Sequence, residues 1–114
     1  MIESFSPEEL QALKEDISAS LHCALPGTVE SFDPESGTAD IRPGIQSRSG
    51  RALPLLRSVP VFRPNAWDIF PGDRCLVIFA DADIGNWLVT GEPSSPQSAR
   101  RHSLSDGFAF VGFG

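Results

Sequence analysis

The stretch Phe70–Gly91, FPGDRCLVIFADADIGNWLVTG, constrains this chain more than any other. Pro71 presets φ for a turn, Gly72 accepts a positive φ, and Asp73 can bond the local backbone. A short apolar run, CLVIFA, follows Arg74. With a two-residue repeat, Cys75, Val77 and Phe79 face one way and Leu76 and Ile78 the other. A strand that is apolar on both faces needs cover on both. One cover is the domain's own core. The other is an N-terminal helix or another subunit. An acidic loop and the run WLVT, expected as a second strand, complete the stretch.

A chain of 114 residues fits one domain. Its net charge of -6 argues against a phosphate-tracking surface, because nucleic-acid binding draws its affinity from Lys and Arg. The same charge argues against a polybasic membrane footprint. Cys23 and Cys75 form no C-x-x-C pair, and no His/Cys cluster has zinc spacing. Cys75 is expected as a buried, inert thiol. The first residues lack a basic stretch followed by an apolar one, which predicts synthesis in the cytoplasm.

Residues 5–22 carry the helix signal. Ser6 suits the N-cap, Pro7 the first helical position, and Glu9 completes a capping box, with Phe5 placed to staple onto Leu10. Leu10, Leu13, Ile17 and Leu21 form one apolar stripe. This stripe either caps the barrel of its own chain or docks on a neighbouring protein. Pro26 and Gly27 are expected to stop the helix. From Thr28 the repeat becomes two. Thr28–Asp33 and Thr38–Arg42 form a hairpin around Pro34 and Gly37, with Val29, Ala39 and Ile41 inward.

Pro54 and Pro60 confine residues 53–62 to irregular or edge strand. Trp67 and Ile69 alternate with Asp68 as a short strand. Residues 91–101 are a polar linker without an apolar anchor. The end of the chain, GFAFVGFG, is apolar where chain ends are normally polar, so it folds back or meets a partner. The expected division is a helix over 1–24, a barrel over 25–92, and a linker with an apolar tail over 93–114. The expected fold is mainly β, a small Greek-key barrel of the OB type preceded by an amphipathic helix.

Little here points to catalysis. His102, Ser103 and Asp106 lie too close together in sequence for a triad, and no G-x-S-x-G elbow exists. Asp81, Asp83 and Glu92 mimic three positions of a calcium loop, but Gly85-Asn86 reverses its central order. No enzyme activity, metal or cofactor is expected. Trp67, Trp87, Phe62, Phe70 and Phe79 suit base stacking, which makes a single-strand-binding module the alternative function. That reading needs a positive groove.

Four runs carry a resemblance: ALPGTVESFDPESGTADIRPGIQ, PLLRSVPVFRP, FPGDRCLVIFADADIGNWLVTGE and RRHSLSDGFAFVGF. Over about residues 24–113 the chain resembles the N-terminal OB domain of phage baseplate central-spike, or membrane-piercing needle, proteins. The resemblance implies a homotrimer on the axis of a contractile tail, in the virion. Its partners would be a baseplate hub above, a spike tip below and, transiently, the host envelope, with no nucleic acid bound. Family members usually continue into a trimeric β-helix with an apical iron site. This sequence stops at Gly114 and has no H-x-H pair, which favours a spike base with the tip on a separate protein. On this reading Leu10, Leu13, Ile17 and Leu21 seat the hub. Trp67, Cys75, Val77, Phe79 and Trp87 form the trimer interface or the core, and Phe108, Phe110, Val111 and Phe113 seat the tip.

Overall fold

The computed structural model describes residues 6–62 and 68–113. In chain order these residues form α1 (Pro7–Ser20), β1 (Ala24–Asp33), β2 (Thr38–Pro43), β3 (Leu56–Phe62), β4 (Arg74–Phe79), α2 (Gly85–Thr90) and β5 (Gly107–Phe113). The five strands close into a barrel in the order β1-β2-β3-β5-β4. All neighbours are antiparallel except β3 and β5. This is the small OB-type barrel expected from the alternating patterns.

The hairpin follows from its turn chemistry. Asp33 Oδ1 accepts the Glu35 N–H at 2.9 Å, and Gly37, at φ 71°, donates its N–H to the Asp33 carbonyl at 2.9 Å. Val29, Ala39 and Ile41 then face inward and are buried. They meet Leu56, Val59, Ile69, Cys75, Val77, Phe79 and Ala109 in one core. Removing a well-packed aliphatic side chain such as Ile41 from a core of this kind costs about 2–5 kcal/mol.

Four expectations change. First, α1 ends at Ser20, and Pro26 and Gly27 belong to β1. Pro26 turns its carbonyl to the Gly44 N–H at 2.8 Å, so its missing donor falls beyond the β1–β2 ladder, which starts at Gly27↔Pro43. A Cβ on Gly27 would lie 2.6 Å from Ile41 Cγ2, so the barrel wall requires glycine there. Second, β3 is a wall strand despite Pro60. Its pairing with β5 covers only Val61↔Ala109 and Phe62↔Phe110, so that side asks no donor of Pro60. Ser58, at φ 53°, bulges the strand, and Asp40 Oδ1 takes its N–H at 3.0 Å.

Third, WLVT is helical. The Gly91 N–H closes α2 onto the Trp87 carbonyl at 2.7 Å, with Gly91 left-handed at φ 72°. Fourth, the barrel extends past the boundary expected at 92. The apolar end is β5, paired with β4 along its length from Ile78↔Phe108 to Cys75↔Val111. Residues 68–70 form no strand, although Ile69 is buried, and Trp67 and Phe5 lie outside the described residues. Residues 22–23 run on along the sheet: the His22 N–H reaches the His102 carbonyl and the Phe79 N–H reaches the Cys23 carbonyl, each at 3.0 Å.

Candidate interaction surfaces

β5 alternates small residues inward with aromatics outward. Gly107 and Ala109 are buried, while Phe108 and Phe110 stand on the outside. The register lines these rings up with the outer face of β4. Phe62, Phe110, Leu76 and Pro26 follow one another across β3, β5, β4 and β1. Phe108, Ile78 and Ala24 form the neighbouring row. Phe62 packs on Phe110 with ring centroids 5.3 Å apart, and Trp87 of α2 meets Phe108 edge-on at 6.2 Å. Phe62 is 55% exposed and Trp87 47%. The result is a continuous apolar belt on the outside of a closed barrel. Monomers rarely leave such a surface uncovered.

An ion cluster holds this belt in place. Asp106 is fully buried at the start of β5 and accepts both Arg100 Nε and Nη2 at 2.7 Å. Arg100 Nη2 also donates to Asp83 Oδ1 at 2.8 Å. Asp83, buried before α2, accepts the Gly85 N–H at 2.9 Å and the Ser98 hydroxyl at 2.9 Å. Asp106 Oδ1 accepts the Ile84 N–H at 3.2 Å. One arginine thus ties the segment before β5 to the front of α2, fixing Phe108 against Trp87. The Gly85 N–H and the Ser98 hydroxyl, with the Arg100 charge adding, hold the Asp83 carboxyl below the usual carboxylate range. Segment 91–101, expected as a free linker, is further bound where Asn86 donates to the Ser95 carbonyl at 2.9 Å and Gln97 to Asn86 Oδ1 at 2.7 Å.

The residues singled out in the sequence separate into distinct settings. Cys75, Val77 and Phe79 are core, and burial pushes the Cys75 thiol up to about 11. Trp87, Phe108 and Phe110 lie on the belt. Val111 points inward against the core, and Phe113, 55% exposed, ends β5. Phe113 lines a 420 Å³ apolar cleft with Pro26, Gly44, Arg74 and Leu76. Leu13 and Leu21 are exposed and Leu10 is half-buried. Ile17 lies in α1, its side chain outside the described residues. Among the described residues α1 packs along none of the strands. Asp106 is committed to Arg100, and His102 Nε2 lies 3.5 Å from Asp81, so His102, Ser103 and Asp106 do not come together as a catalytic set. The Arg100 cluster escaped sequence reasoning, because three charges in irregular segments leave no periodic trace.

A family model described as the phage protein Gp138 N-terminal domain matches residues 25–112, from the second residue of β1 to the last but one of β5. No curated protein matches the chain.

Proposed function

Because the chain belongs to the phage protein Gp138 N-terminal domain family, we propose that it builds the base of the central spike in a contractile tail baseplate, as a homotrimer on the tail axis. The observation that carries this reading is the belt of Phe62, Phe110, Phe108, Leu76 and Ile78. It lies outside a barrel whose own core is already complete. β4 is apolar on both faces, and α1 of the same chain does not cover the outer one. The remaining cover is another copy, and cyclic symmetry closes such an assembly without leaving a sticky face.

The role is mechanical rather than catalytic. Three closed barrels around an axis transmit axial load from the hub to the tip. The cleft beside Phe113 is the seat for a tip protein at one end of the barrel. Contact with the host envelope is made by that tip.

Sedimentation equilibrium tests the assembly. At micromolar concentration the chain is expected at three times its own mass. A monomer there removes the reading. In a particle that contains the protein, threefold density on the tail axis is the matching image, and density away from the axis overturns the placement.

A further inference from the structure

Among the described residues two apolar surfaces lack cover, and they belong to different elements. One is the belt; the other is the stripe of α1. Among the described residues the helix does not fold back onto its own belt, and at its exit His22 and Cys23 are both fixed by backbone hydrogen bonds. Leu21 alone connects α1 to that anchored chain, shorter than the 2–6 residues that usually join a helix to a strand in packed units.

The charges of the two surfaces are complementary. The outward positions of β3, β4 and β5 carry Arg57 and Arg74, and the carboxylates beside them, Asp40 and Asp73, are taken up by the Ser58 and Phe70 N–H groups. Neither arginine pairs with a carboxylate among the described residues. The described helix carries Glu8, Glu9, Glu15 and Asp16 against Lys14 alone. An apolar stripe edged with carboxylates fits an apolar belt edged with arginines. α1 also leaves its barrel beside Ala24, which lies next to Ile78 on the rim of the belt. A neighbour around a ring is therefore within its reach. α1 lies before the residues matched by the family model.

We infer that α1 of one copy lies across the outer face of β3, β5 and β4 of the next copy, so that each chain clasps its neighbour around the trimer. This rests on the homotrimer proposed above and assigns the α1 stripe to a second copy rather than to the hub. The contact is heterologous, helix to sheet, and three such contacts close a ring.

Crosslinking within the full chain tests it. In a Cys23→Ser, Leu13→Cys, Ile78→Cys protein, Cys75 stays buried and unreactive. A short bis-maleimide is expected to give denatured products at two and three times the chain mass. A product at the mass of one chain, or none from a protein that sediments as a trimer, overturns the clasp and leaves the trimer standing. Sedimentation as a monomer before any crosslinker is added overturns the trimer, and the clasp with it. As a second test, the Leu10→Glu, Leu13→Glu protein should keep its circular dichroism and associate about tenfold more weakly or worse. An equally tight trimer from that variant overturns the clasp and returns α1 to the hub.

Discussion

At Gly107 the barrel has no room for one more methyl group. A Cβ there would lie 2.7 Å from Val77 Cγ1 and 3.1 Å from the Phe79 ring, both in the core. Gly107→Ala is expected to lower stability by about 1–3 kcal/mol, the usual cost of overpacking, measured as a shift of the urea midpoint. The neighbouring Asp106 makes a different demand, because it is buried and its charge is met by Arg100. Arg100→Met leaves Asp83 and Asp106 without their cation. The expected loss is roughly 5 °C or more in Tm, read by circular dichroism.

The pH dependence follows from Asp83. Its folded carboxyl sits below the unfolded value of about 3.9, so its contribution is fully present above that value. The contribution disappears as pH falls through the lower, folded value. Thermal melts should therefore hold from neutral pH to about pH 5 and drop below about pH 4. A drop that Asp83→Asn leaves unchanged would mean that other carboxylates cause it.

Among the elements, β5 carries the most consequence. An apolar chain end invites the idea of a detachable docking tail. In the barrel it is the strand that joins β3 to β4. Deleting residues 107–114 exposes both neighbours and removes Ala109 from the core. The truncated chain is expected to lose its cooperative thermal transition. A truncated chain that melts as sharply as the intact one would show that four strands suffice.

The same elements show what the sequence made legible. The β1–β2 hairpin was visible because turn chemistry and alternation agree over Val29, Ala39 and Ile41. The capped start of α1 was visible for a local reason too: Ser6 Oγ accepts the Glu9 N–H at 3.1 Å. α2 was not visible, because Trp87, Val89 and Thr90 favour strand. Its start is set partly by a long-range bond, the Ile84 N–H donating to Asp106, beside the local one from the Gly85 N–H to Asp83. β5 was hidden by its two small inward residues, which leave the outward phenylalanines to dominate the pattern. The belt itself depends on cross-strand register, which no single segment encodes.

For the whole molecule the question is which force assembles it. A single-strand-binding barrel and an apolar trimer respond in opposite ways to salt. Phosphate binding is driven by counterion release and weakens steeply as salt rises. An interface centred on Phe62, Phe110, Phe108 and Ile78 has no charge at its middle, with Arg57 and Arg74 only at its margin. Each copy carries a net charge of -6, so bringing three together meets mutual repulsion that salt screens. The Debye length falls from about 10 Å at 0.1 M to about 3 Å at 1 M, which weakens the marginal arginine contacts and the general repulsion together. Apolar burial is left as the term that decides. The trimer mass is therefore expected to be the same at ~0.05 M and ~0.5 M salt, near the range over which a phosphate-bound complex dissociates. Equilibrium sedimentation at the two concentrations measures it. Dissociation at the higher salt would show that ion pairs, rather than the aromatic belt, hold the copies together.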